Sequence, residues 1–138
     1  MTDTEVLAEA KETFDGFYRV VDEQFAAGQA SPNAFERYAT SELGTRWAND
    51  IQAALNAGTS SRGVLRLVNI QLKERTPGRV SVTLCTDGSD IEGTDQDGVP
   101  ITPSGLVPWD ATFEPSPETS DLLLDELEPS EDGAVCDF

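Results

Sequence analysis

Val64-Leu65-Arg66-Leu67-Val68-Asn69-Ile70-Gln71-Leu72-Lys73, then Pro77-Gly78, then Arg79-Val80-Ser81-Val82-Thr83-Leu84-Cys85, is the stretch in which the hydrophobic period of this chain changes to two. Alternation puts Val64, Arg66, Val68, Ile70 and Leu72 on one face, and Leu65, Leu67, Asn69, Gln71 and Lys73 on the other. Val80, Val82 and Leu84 alternate with Ser81, Thr83 and Cys85, the pattern of a hairpin partner. Pro at the first central position of the connection and Gly at the second predict a type II turn.

Before residue 58 the period is helical. Thr2 and Glu5 have capping-box spacing, and Val6, Ala10, Phe14, Phe17, Val21 and Phe25 recur along one face until Gly28. Ser31-Pro32 opens a short second helix carrying Phe35, Tyr38 and Ala39. Thr40-Ser41 starts a third, whose stripe of Leu43, Trp47, Ile51, Ala54 and Leu55 ends at Gly58. After the hairpin the spacing predicts a ragged strand over 90–94 and a turn at Asp97-Gly98. A strand follows in which Trp109, Ala111 and Phe113 face away from Asp110, Thr112 and Glu114. Ser116-Pro117-Glu118 then turns the chain into a last strand over 122–127. The expected fold is α+β: one long and two shorter N-terminal helices on a curved antiparallel sheet of four to five strands. A chain of 138 residues fits one domain over 1–138, with a helical half (1–58), a β half (64–128) and an acidic tail (129–138).

Charge narrows the function. Residues 1–79 hold all nine Lys and Arg against eleven acids; residues 80–138 hold fifteen acids and no base, nearly the whole net charge of −17. Such a surface repels nucleic acid and anionic lipid and suits water, cations or a basic protein partner. The chain has no His, which removes Ser-His and Cys-His nucleophile pairs and imidazole metal sites. No window approaches about 18 consecutive apolar residues, so no membrane span is expected. The acidic N-terminus lacks the basic and apolar regions of a signal peptide, so either none is used or Met1 stands where one was removed. Seven Arg against two Lys, with abundant Ala and Asp, suit a high-GC genome.

Several residues are candidates for chemistry. Asp15 and Asp22 share a helix face; beside an aromatic ring either carboxyl would titrate high enough for proton transfer, whereas on an exposed face it is simply solvated. Tyr18 and Tyr38 are hydroxyl donors or core-rim residues, Asp110 is a further carboxylate candidate, and Trp47 and Trp109 fill core or stack on a ligand. Asp87, Asp90, Glu92, Asp95 and Asp97 invite a calcium reading, but their spacing fits no EF-hand, so no metal and no cofactor is expected. Arg62, Arg66, Lys73, Arg75 and Arg79 crowd the first hairpin, either to pair with acidic neighbours or to form an interaction patch. Cys85 and Cys136 are the only cysteines. They are a buried thiol pair, a disulfide worth about 4 kcal/mol in the chain-entropy account, or two ligands of a zinc site that would need carboxylates to complete it. A phosphate-binding Gly-rich loop, a nucleophile elbow, a CxxC motif and an aromatic-basic RNA signature are all lacking.

The order of helices and strands resembles the nuclear transport factor 2-like superfamily, with its cone-shaped α+β fold. More narrowly, Tyr38-Ala39-Thr40, Val82-Thr83-Leu84-Cys85-Thr86-Asp87 and Leu124-Asp125-Glu126-Leu127-Glu128-Pro129 with Cys136 resemble small actinobacterial members of unknown function. Many of those are envelope-associated or secreted, and in them a strand Cys and a near-terminal Cys are suited to pairing. The resemblance therefore implies a Cys85–Cys136 disulfide and an extracytoplasmic or virion-associated setting; reduced thiols would imply the cytoplasm. Catalytic members use an Asp-His pair, impossible here, or an Asp base with Tyr donors, for which Asp15, Tyr18, Tyr38, Asp22 and Asp110 are the available residues. The expected function is a non-enzymatic acidic binding or assembly module, of an envelope protein or of a particle such as an actinobacteriophage virion. It would act through a protein partner or self-association. The alternative is a small isomerase, dehydratase or cyclase acting on a small apolar ligand.

Overall fold

The computed structural model describes residues 1–138, and its architecture is α+β. Helix α1 (Asp3–Ala27) begins at the capping box: the Glu5 amide donates to Thr2 Oγ1 at 3.2 Å and the Thr2 amide donates to Glu5 Oε1 at 3.0 Å. It ends at Gly28, whose φ of 72° is the left-handed conformation that closes helices. Helix α2 (Ser41–Asn56) is capped by Thr40 Oγ1, which accepts from the Leu43 amide. The expected helix between them is a single 3₁₀ turn, Pro32–Phe35. Pro32 fixes its entry, and Phe35 is drawn into the core, so the chain turns inward before an α-helix can propagate.

Six strands follow: β1 (Ser60–Arg62), β2 (Arg66–Thr76), β3 (Arg79–Asp87), β4 (Glu92–Thr94), β5 (Leu106–Pro115) and β6 (Leu122–Pro129). They make an antiparallel four-stranded sheet in the order β2-β3-β5-β6 and a separate two-stranded sheet of β1 and β4. The strand expected near 90–94 is β4, but it pairs with β1, a Ser-Ser-Arg segment too polar and short to show alternation.

The two faces of β2 also differ from strict alternation. Leu67 pairs with Thr86 and Asn69 with Cys85, so Val68 is an extra, bulged residue. The bulge reverses the phase: Leu65 and Leu67 face the core before it, and Ile70 and Leu72 after it, opposite the buried Leu84 and Val82. Lys73 sits at a second bulge, after which Arg75 lies on the core face. The Pro77-Gly78 connection is not type II, because Gly78 is not among the residues with positive φ.

Both helices pack on one face of the main sheet. Phe14 and Phe17 of α1, Phe35, Phe113 of β5, Leu84 of β3 and Leu124 of β6 are completely buried between the layers. Trp47 lies edge-on to Phe17 with centroids 5.1 Å apart, and Trp109 donates its indole N–H to Thr86 Oγ1 at 2.8 Å. The free edge of β6 is closed from within the chain. The Leu122 amide donates to Glu9 Oε1, and Thr13 Oγ1 donates to the Leu122 carbonyl. Ala39 then bridges Leu124 in parallel, through Leu124 N–H to Tyr38 O at 2.8 Å and Thr40 N–H to Leu124 O at 2.9 Å.

This bridge needs a gap in α1. A Cβ on Gly16 would collide with the Tyr38 ring. Gly16→Ala should therefore destabilise the protein by about 1–3 kcal/mol, although Ala is the better helix former. Urea unfolding tests this, since a helix free of the Tyr38 contact would be stabilised instead.

Candidate functional site

The sequence candidates lie on two flanks of α1. Residues two apart on an α-helix point roughly 200° away from each other, so Tyr18 leaves the helix on the side opposite Gly16, where Tyr38 is seated. Tyr18 packs near Phe14, and burial, with the Asp22 carboxylate, pushes its hydroxyl above the ordinary range. Asp15, half-buried one turn earlier, is pushed up by burial against the pull of Lys11 and Arg19. Asp22 accepts the Gly63 amide at 3.0 Å and so anchors the approach to β2. Asp15 and Tyr18 thus share one flank, Tyr38 the other, and no single cavity collects all three. Asp110 is on the outer face, paired with Lys73 at 3.4 Å.

The acidic loop residues are occupied individually. Asp87 accepts the Ser89 amide, which together with Arg66 holds its carboxyl below the ordinary range. Asp90 lies 3.6 Å from Arg66, and Glu92 pairs with Arg62 at 2.8 Å. Asp95 Oδ1 accepts the Asp97 and Val99 amides, an Asx turn, and Asp97 is exposed at its tip. No three acidic or thiol side chains converge in a geometry that would hold a metal ion.

All five cations expected at the hairpin are in ion pairs within the chain, but Arg62 lies on β1 in the small sheet and only the other four are in the β2–β3 hairpin. Besides the pairs above, Arg75 reaches Asp3 at 2.9 Å and the Met1 carbonyl at 2.7 Å, while Arg79 lies between Glu114 (3.7 Å) and Glu126 (3.2 Å). These pairs are solvent-exposed and individually worth little, so they set local charge rather than stability.

Cys85 and Cys136 form a disulfide, with Cα atoms 5.2 Å apart. The acidic tail is therefore not loose. Asp132 caps a 3₁₀ turn over Gly133–Cys136, Val135 is buried, and Asn69 Nδ2 donates to the Val135 carbonyl at 2.9 Å. The turn lies on the outer face of the sheet and covers Cys85, so β3 is buried on both faces.

Two features had no sequence signal. An open cleft of about 730 Å³ separates the Pro32–Thr45 region from the β5–β6 connection and is lined by Asn33, Arg37, Ser41, Glu118 and Asp121 among others. Its residues are polar loop types that carry no periodicity. The second is a carboxyl cluster at the foot of α2. Thr40 Oγ1 donates to Asp125 Oδ1 at 3.0 Å, and burial, with Asp125 and Glu42 nearby, pushes the Glu114 carboxyl up against the pull of Arg79. No protein-family model matches the chain, and no curated protein does.

Glu114 gives a pH prediction. A carboxyl whose folded value is raised binds its proton more tightly in the folded state, so it adds stability below the ordinary carboxylate value that is lost as pH rises through the raised value. Glu114→Gln should raise the unfolding midpoint at neutral pH and flatten its rise between neutral pH and the ordinary carboxylate range. Parallel thermal melts of both proteins across that window decide it; identical slopes would remove Glu114 from the account.

Proposed function

We propose that this chain is a non-enzymatic binding or assembly module of an extracytoplasmic protein or of a larger particle such as a phage virion. The observation that carries the reading is the filled interior. Phe14, Phe17, Phe35 and Phe113 occupy the space between helices and sheet in which an enzyme of this layout would keep its substrate. The order of helices and strands supports kinship with the cone-shaped nuclear transport factor 2-like superfamily, and the paired cysteines support an oxidising setting. With every hairpin cation paired internally, the surplus of acids is left to the surface, which favours contact with a basic partner.

The isomerase, dehydratase or cyclase reading keeps one observation in its favour, the raised carboxyl of Asp15 beside Tyr18. It predicts that Asp15→Asn lowers turnover by about 100-fold or more on any substrate found. Native mass spectrometry of the protein purified from its own source tests the assembly reading. The expected result is a defined multimer or stable heterocomplex, with the chain lighter by the two hydrogens of its disulfide. A bare monomer at working concentration would overturn it.

A further inference from the structure

Seven large apolar side chains are exposed, and their distribution is uneven. Two are the terminal residues Met1 and Phe138; the other five are Val64, Val68, Val99, Ile101 and Leu106. All five lie at the end of the molecule where β2 and β5 begin and β3 ends. Leu106 pairs with Asp87, which pairs with Arg66, so Leu106, Asp87 and Arg66 form a row across the outer face, with Val68 beside it on β2 and Val64 two residues before that strand. Val99 and Ile101 belong to the excursion between β4 and β5. The Val99 carbonyl accepts from Asp95, and the Ile101 amide donates to Gly93, so backbone hydrogen bonds hold both beside the small sheet. At 55%, 45% and 51% exposure, Val99, Ile101 and Leu106 are the most open of the five.

Charge at this end of the molecule is unequal. Arg62 and Arg66 stand against Asp87, Asp90, Glu92, Asp95 and Asp97, a local net charge of −3. Both arginines are already paired with members of that set, Arg62 with Glu92 and Arg66 with Asp87 and Asp90. Asp95 is engaged by the backbone and Asp97 projects at the loop tip. Aliphatic contacts with an acidic rim match a partner with the converse pattern, apolar side chains surrounded by Lys and Arg.

We propose that the end of the molecule carrying Val64, Val68, Val99, Ile101 and Leu106, with its Asp90–Asp97 rim, docks a basic amphipathic segment of another protein. A second copy of this chain is a poor occupant, since it would bring an equally acidic rim to the same place. The proposal rests on the module reading above and names the chemistry of the partner.

The probe is a synthetic Leu/Lys amphipathic helix, titrated into isotope-labelled protein at physiological ionic strength and followed by amide chemical shifts. A Ser/Lys peptide of equal charge is the control. The expected result is shifts confined to residues 62–68 and 87–106, with the control binding about tenfold more weakly or worse. Val99→Ser with Ile101→Ser should weaken the Leu/Lys peptide by a similar factor, and Asp90→Asn with Asp97→Asn should weaken both peptides. Asp95 is left intact because it holds the loop, and unchanged shifts elsewhere verify that each variant is folded. Shifts on the α1 or α2 surface, equal binding of the two peptides, or indifference to the apolar pair would overturn the proposal. So would concentration-dependent shifts of these same residues without peptide, which would assign the surface to a second copy. A heterocomplex in native mass spectrometry combined with a silent surface here would leave the module reading standing and this proposal refuted.

Discussion

The seating of Tyr38–Thr40 is the constraint on which the other elements depend. Three residues serve three partners at once. The Tyr38 ring lies on the bare backbone of Gly16 in α1, the backbone of Tyr38 and Thr40 hydrogen-bonds both polar groups of Leu124 in β6, and the Thr40 hydroxyl caps α2 while donating to Asp125. Without the glycine the segment could not approach the helix closely enough to reach the sheet edge. Without the bridge, β6 would present unpaired backbone beside a buried Leu124, at a cost of about 1–3 kcal/mol for each unmade bond. The position of α2 follows, since its first residue comes directly after this bridge. The layered core is the consequence of that junction as much as of hydrophobicity.

Where residues themselves specify local geometry, the sequence was readable. The Thr2/Glu5 capping box, the Gly28 stop, the Thr40 cap and the alternation of Trp109, Ala111 and Phe113 all recur in the structure, because each depends on neighbours a few positions away. Features that depend on distant partners were not readable. The bulge at Val68 exists because Leu67 and Asn69 must meet consecutive residues of β3, and nothing in a run of alternating residues marks which one is extra. β1 is a strand only because Gly93 leaves room for Ser60 to pair with Thr94. The candidate site shows the same limit. Helical spacing placed Asp15 and Tyr18 on α1, but only the contact with Gly16 places Tyr38 on the opposite flank.

The disulfide does its work outside this core. It closes a loop of 51 positions, which in the chain-entropy account restricts the unfolded chain by about 4 kcal/mol. Its folded-state effect is local: it holds Val135 and the Gly133–Cys136 turn over Cys85 and Asn69. A strand flanked by Thr83 and Cys85 on its outer face would otherwise meet water there. Closing that face lets a sheet with only one layer of helices bury its central strand on both sides, an arrangement more usual of sheets with two covered faces.

The position of the charges then separates structure from recognition. Arg75 and Arg79 lie at the far end of the first hairpin, where they meet Asp3, Glu114 and Glu126 contributed by α1, β5 and β6. Arg62 on β1 and Arg66 at the start of β2 lie at the near end and meet Asp87 at the end of β3, Asp90 and Glu92 of β4. At the far end the cations are matched by acids from three other elements of the fold. At the near end two cations stand against five acids, beside most of the exposed aliphatic surface of the molecule. A protein that needed its charges only for solubility would have no reason to concentrate exposed Val, Ile and Leu there, because each adds to the risk of self-association that the acids reduce. That coincidence of apolar side chains with an excess of acid is what the proposed contact with a basic partner rests on.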